Sequence, residues 1–225
     1  MAKGWKLVPV VILAIFLAVG VQEAKATAIL QLSDGSTTVT IPDGSGSDLN
    51  ALAGVITFSG TIGNWTINVS TGQTSPFLPG PQMDLNTVNT STQGGGTMTI
   101  KFTNYDLSDP LGTSFLLGAG GTTEGTVNVN AYFDASNAQF GTGTLLASIG
   151  PFSGGAFSGS AFSGVISAGG NYSLTEIITI DHAAGDRVLT SLDASLAPVP
   201  EPGTMLLLGS GLVGLAGFGR KKLRK

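Results

Sequence analysis

Thr126-Val127-Asn128-Val129-Asn130-Ala131-Tyr132-Phe133 alternates along its whole length. Successive side chains of a strand point to opposite faces, so Val127, Val129, Ala131 and Phe133 share one face and Asn128, Asn130 and Tyr132 the other. The same period of two recurs on either side. Met98, Ile100 and Phe102 alternate with Thr97, Thr99 and Lys101, and Trp65, Ile67 and Val69 alternate with Asn64, Thr66 and Asn68. Further strand-like runs cover 28–32, 37–41, 54–59, 145–149, 172–180 and 187–192. Turn pairs and glycine clusters punctuate them: Asp34-Gly35, Asp43-Gly44, Pro79-Gly80-Pro81, Gly94-Gly95-Gly96, Gly120-Gly121, Gly141-Thr142-Gly143 and Gly169-Gly170. No stretch between residues 27 and 198 carries the apolar period of a three-turn amphipathic helix. Roughly nine or ten short strands predict an all-β fold, an antiparallel β-sandwich of jelly-roll or immunoglobulin-like type, as one domain over residues 27–198.

Two stretches in this region read as something other than strand. The polar segments 72–80 and 108–121 are expected to be loops at the ends of the sandwich. Phe152-Ser153-Gly154, Phe157-Ser158-Gly159 and Phe162-Ser163-Gly164 repeat every five residues. An odd period would send successive Phe side chains to opposite faces, so the repeat predicts a Gly/Ser-rich connection whose aromatics dip into the core, the alternative being an exposed aromatic strip that contacts polysaccharide.

Composition narrows the function. The 225 residues include 34 Gly, 10 Pro, one His and no Cys, and only 11% are charged. Without cysteine there is no disulfide framework, no thiolate metal site and no cysteine nucleophile. Between residues 27 and 200 the acids are Asp34, Asp43, Asp48, Asp84, Asp106, Asp109, Glu124, Asp134, Glu176, Asp181, Asp186 and Asp193, against Lys101 and Arg187 alone. An acidic surface of this kind does not suit nucleic acid, whose recognition needs clustered Lys and Arg.

The basic residues stand at the chain ends, beside apolar runs. Lys3 and Lys6 precede an apolar stretch over 7–21, and Ala24-Lys25-Ala26 follows as an A-x-A cleavage site, so residues 1–26 read as a secretory signal peptide handled by the secretion translocon and signal peptidase. Residues 203–219 contain no charge and would span about 25 Å as a helix, a short but usable transmembrane helix. Arg220, Lys221, Lys222, Arg224 and Lys225 follow it and would remain cytoplasmic, leaving the acidic region outside.

Val199-Pro200-Glu201-Pro202, then the apolar run, then the basic cluster at 220–225 resemble the PEP-CTERM sorting signal of exopolysaccharide-producing Gram-negative bacteria. The order and spacing of the three parts carry the resemblance, since a lone Pro-Glu-Pro is common in linkers. The resemblance implies a membrane-embedded partner, an exosortase, that recognises the Pro-Glu-Pro segment and severs the chain from its tail. It implies inner-membrane anchoring before processing and an extracellular or cell-surface product afterwards. The two prolines hold residues 200–202 out of helix, which suits a protease substrate. The resemblance covers residues 199–225 and leaves the fold of the remainder to the pattern above.

No catalytic constellation stands out. His182 lies beside Asp181, but neighbours on a strand point to opposite faces, so Asp181 would not orient it. There is no Gly-x-Ser-x-Gly, no H-E-x-x-H and no phosphate loop. Asp43 and Asp48, and Asp106 with Asp109, are weak calcium candidates that do not match an EF-hand; neither a metal nor a cofactor is expected. The expected function is therefore a non-enzymatic exported surface or extracellular-matrix protein associated with exopolysaccharide or biofilm. The alternative is a carbohydrate-binding or carbohydrate-active protein, which an exposed cluster among Trp65, Tyr105, Tyr132 and Tyr172 would favour.

Overall fold

The computed structural model describes residues 27–108, 112–167, 169–185, 188–199 and 208–212. Among these residues ten strands occur in chain order: β1 Ala28–Ser33, β2 Thr38–Pro42, β3 Val55–Ile62, β4 Trp65–Gln73, β5 Met83–Thr92, β6 Gly96–Leu107, β7 Ser114–Asp134, β8 Thr144–Phe162, β9 Tyr172–His182 and β10 Val188–Val199. All pairings are antiparallel, in the order β2-β1-β6-β9-β7-β10-β5-β4-β3, with β8 beside β7.

This single hydrogen-bonded path becomes a sandwich because β7 is bent double. Its first half pairs with β10, from Ser114 opposite Val199 to Thr123 opposite Thr190. Its second half pairs with β9, from Thr126 opposite Asp181 to Asp134 opposite Ser173. The strand therefore runs up one layer and back down the other. β8 follows it throughout, from Thr144 opposite Phe133 to Phe162 opposite Leu116, with register shifts where both turn over. One layer is β2-β1-β6-β9 with the second half of β7; the other is β3-β4-β5-β10 with the first half. At the crease a Cβ on Gly125 would stand 2.2 Å from the Asp181 carbonyl oxygen, so only glycine fits. Opposite it on β8, Gly154 and Gly155 take φ of +63° and +90°, which lets the edge strand follow the fold.

The core fills the space between the layers with the inward sets that alternation predicts. Met98, Ile100 and Phe102 of β6, Trp65 and Ile67 of β4, and Val127, Val129 and Ala131 of β7 are all buried. Val69, expected inward with Trp65 and Ile67, is not, because the parity of β4 switches after Ile67 and Ser70 and Gly72 take the inward positions instead. Three hydroxyl pairs are buried as well: Ser70 with Thr87, Thr123 with Thr190, and Thr103 with Thr175, at 2.7–3.1 Å. Each satisfies its polar atoms across strands, so burial costs little.

The antiparallel β-sandwich is as expected, with three local corrections. Residues 114–121 are the first half of β7 rather than loop, and Gly72 and Gln73 complete β4. The Phe-Ser-Gly repeat is not a connection but lies in and just beyond β8. Its Phe152 and Phe157 share a face, stacked with centroids 4.6 Å apart and packed on the core, because the left-handed glycines between them break the alternation. Phe162, the third member, is 68% exposed. β5 was not anticipated at all.

Glu176 breaks the otherwise apolar lining. It belongs to the even-numbered set of β9, with Leu174, Ile178 and Ile180, and points between the layers beside Phe102 of β6 and Ala131 of β7, its register partners. It is fully buried and, among the described residues, neither carboxylate oxygen has a hydrogen-bond partner. Burial pushes its pKa well above the ordinary 4.5, and the negative charges of Asp84 and Asp193 add to the effect. Asp84 on β5 is itself raised to about 6, first by burial and then by Asp193.

Two outcomes follow. Gly125→Ala is expected to destabilise the domain by roughly 1–3 kcal/mol in urea unfolding, whereas Gly164→Ala, with open space around it, leaves the midpoint unchanged; equal midpoints would remove the crease from the account. Glu176 holds its proton in the folded chain at pH values where the unfolded chain has lost it. Its contribution to stability is therefore complete below about pH 4.5 and is lost as pH rises through the folded-state pKa. Wild-type Tm should fall on going from pH 5 to pH 9, at ~2–4 °C per kcal/mol for a domain of this size, and Glu176→Gln should flatten that fall apart from the smaller slopes of the raised Asp84 and Asp43 and the opposite slope of the lowered His182. Parallel Tm profiles for the two proteins would contradict it.

Candidate functional site

The strand pairings put both chain ends of the sandwich at one pole. β10 lies between β5 and β7 with Leu192, Ala194 and Leu196 in the core, and it stays paired to its last residue, Val199 opposite Ser114. At the other end of the chain, Thr27 donates its hydroxyl to the Tyr105 carbonyl, and Ala28 pairs with Asn104. Asn104 in turn donates to Thr74 Oγ1 across the layers at 2.8 Å, which brings the β1 and β6 ends of one sheet against the β4 end of the other. We call this pole proximal; the crease of β7 lies at the distal pole.

Val199 is the last residue described before the Pro-Glu-Pro segment. Pro200, Glu201 and Pro202, the cleavage residues Ala24 and Ala26, the basic residues Arg220, Lys221, Lys222, Arg224 and Lys225, and Asp109 lie outside the described residues. Of the expected transmembrane segment, Leu208–Leu212 are helical, with Leu208 and Leu212 exposed. Among the described residues no helix is long and apolar enough to cross a membrane.

The weak calcium candidates are occupied by their own backbone. Asp43 Oδ2 accepts from Gly54 N at 2.8 Å. Asp48 accepts from Asn50 N and Thr57 N on one oxygen, both at 2.9 Å, and from Gly44 N on the other at 3.1 Å. Together they brace the proximal loop between β2 and β3. Burial raises the pKa of Asp43, and the Asp48 charge adds to the rise. Asp106, at φ +60°, makes a reciprocal pair with Asn137: its N–H donates to Oδ1 of Asn137, whose amide donates back to its carboxylate. Among the described residues no three His, Asp or Glu side chains are grouped to hold a metal ion.

His182 sits at the distal pole and faces the core. Its ring stacks on Trp65 with centroids 4.6 Å apart, and Nε2 lies 2.8 Å from Thr190 Oγ1, itself bonded to Thr123. Burial lowers its pKa, against the opposing pull of Glu124 and Asp181. Asp181 points outward and accepts from Thr97, so the two neighbours occupy opposite faces as period two requires. Of the four aromatics that could have formed a sugar-stacking platform, Trp65 and Tyr172 are buried, the latter against Phe133, while Tyr105 and Tyr132 are half-buried.

Glu176, Asp84 and Asp193 were not singled out from the sequence. The signal for Glu176 was its parity: on β9 it falls in the same alternating set as Leu174, Ile178 and Ile180. Sealed in the core, its carboxyl is out of reach of a solvent-borne substrate.

Comparison with known families and structures bears on the tail. No curated protein sequence matches the chain. A solved structure reported as "CBM4 structure and function" is 14% identical, covers 65% of this chain and 95% of its own length, and has a TM-score of 0.32. The K1 cleaved adhesin domain of Lys-gingipain from Porphyromonas gingivalis W83 is 10% identical, with coverages of 64% and 97% and a TM-score of 0.31. The infectious bursal disease virus Gx strain structure is 16% identical over 79% of this chain and 56% of its own, with a TM-score of 0.35. Likeness at this level conveys nothing about a ligand. The tail is different: residues 198–222 match the family model of the PEP-CTERM protein-sorting motif. The chain thus carries the PEP-CTERM protein-sorting motif, and the match begins at Pro198, while β10 is still paired within the sandwich.

Proposed function

We propose that this chain is an exported, non-enzymatic surface or matrix protein. The N-terminal segment takes it across the inner membrane and is removed after Ala26. The apolar segment at 203–219 then holds it in that membrane until an exosortase cuts within Pro200–Pro202. The product is the sandwich itself, released into or onto the exopolysaccharide layer of a Gram-negative bacterium.

The observation that carries this is the continuity of β10 with the sorting motif. The last strand is paired through Val199 and the motif match starts at Pro198, so no spacer separates the folded cargo from the sorting tail. Cleavage there frees a domain that ends within a few residues of its final strand. A non-enzymatic role is supported by how the reactive side chains are employed. His182 is stacked on Trp65, Asp43 and Asp48 brace backbone amides, and Glu176 is sealed. An acidic surface with few basic groups also suits a soluble, weakly adhesive matrix component.

The intact mass of the protein from the extracellular fraction of its host tests this directly. A mass running from Thr27 to between Pro200 and Pro202, absent from the same fraction of a strain lacking the exosortase, is the expected result. A product retaining Lys225 in both strains would overturn the proposal.

A further inference from the structure

The large apolar side chains that the sandwich leaves in solvent are not scattered. Among the described residues they are Leu49 and Leu52 in the β2–β3 loop, Phe77 in the β4–β5 loop, Leu145 at the start of β8, and Phe162 and Val165 at its end, each 50–68% exposed. The pairings bring all six to the proximal pole. Val55, just after Leu52, pairs with Gln73, and Gln73 with Asp84, which places both loops beside the start of β5. Met83 pairs with Leu196 near the end of β10. Phe162 pairs with Leu116, which pairs with Ala197. Ile166, next to Val165, bridges Thr113. Leu145 pairs with Tyr132 near the end of β7, whose Phe133 pairs with Leu174 at the start of β9. The distal pole, with the turns at 34–37 and 63–64 and the crease, has none.

A second fact concerns chain length. Four residue steps separate Val199 from Gly203, the first residue of the uncharged segment, and fully extended they span at most about 14 Å. A sandwich whose final strand stays paired to Val199 cannot stand far from whatever holds residue 203. The pole next to that anchor is the pole that bears the exposed apolar side chains.

We infer that the proximal pole is a lipid-contacting face, resting on the bilayer surface through Leu49, Leu52, Phe77, Phe162 and Val165 for as long as the tail is uncut. The inference rests on the proposed membrane-held state and adds to it an orientation of the domain. Large apolar side chains on loops beside an anchor enter the interfacial region of a bilayer, which lowers the exposed apolar area that a soluble domain otherwise carries. Charge selects the headgroup. The described part of this pole has no Lys or Arg, while Asp43, Asp48, Asp106 and Asp134 lie in its loops and strand ends, so the surface fits zwitterionic rather than anionic lipid. Contact would also hold the Pro-Glu-Pro segment at the headgroup level, where a membrane-embedded protease works.

The natural absence of cysteine makes the test clean. Leu52→Cys, Phe77→Cys and Val165→Cys, with Ser36→Cys in the distal turn as reference, are labelled with an environment-sensitive fluorophore. Each full-length variant is purified from membranes of an exosortase-deficient strain and reconstituted into phosphatidylcholine vesicles. The three proximal labels should show blue-shifted emission and quenching by brominated lipid, and Ser36→Cys should show neither. If carbonate strips the chain from the vesicles, the membrane-held state fails and the inference with it. If the chain resists carbonate but the proximal labels are as aqueous as Ser36→Cys, the orientation alone is overturned. In the same variants left unlabelled, disulfide formation between like proximal positions of two chains would overturn it in favour of a second copy on that face.

Discussion

The constraint on which the sandwich depends is the doubling of β7 at Gly125. A Cβ there would collide with the Asp181 carbonyl, and that proximity is what allows one strand to leave β10 in the first layer and join β9 in the second. Without the crease, the strand order β2-β1-β6-β9-β7-β10-β5-β4-β3 would be one open twisted sheet with an unprotected apolar face. With it, the two halves close on each other, and Trp65, Phe102, Phe115 and Tyr172 are sealed between them. The edge strand β8 can follow because two of its glycines adopt left-handed backbone at the same level.

How much of this was legible in the sequence depended on what the inward side chains are. Where they are aliphatic or aromatic, as in β6, the second half of β7 and the first three residues of β4, alternation located the strand and its buried face; beyond Ile67 the inward positions of β4 pass to Ser70 and Gly72, and Val69 misleads. β5 escaped because its run Met-Asp-Leu-Asn-Thr-Val-Asn-Thr-Ser-Thr looks polar; its interior position 87 is a threonine bonded to Ser70 rather than a hydrocarbon. The first half of β7 escaped for a different reason: Gly118, Gly120 and Gly121 read as loop, yet these positions pair with the neighbouring strands β8 and β10. A Cβ on Gly121 would lie 2.2 Å from the Ser191 carbonyl oxygen. The tail was legible for the opposite reason, since a sorting motif is defined by residue order and needs no tertiary context.

Glu176 shows a cost that alternation alone does not explain. A protonated carboxyl without a partner in a close-packed core lowers stability relative to a hydrocarbon of similar volume. The buried hydroxyl pairs differ from it in being satisfied, and they tie β4 to β5, β7 to β10 and β6 to β9 at defined registers.

The position of β10 also has a mechanical side. It is an interior strand, bonded to β7 on one side over the whole stretch from Thr190 to Val199 and to β5 on the other from Val188 to Leu196. Inter-strand hydrogen bonds lie across the strand direction. A force applied to the chain beyond Val199 pulls along β10, so both ladders are loaded together in shear instead of being unzipped one rung at a time. The strand that leads into the sorting motif is thus held on both sides against a pull along the chain.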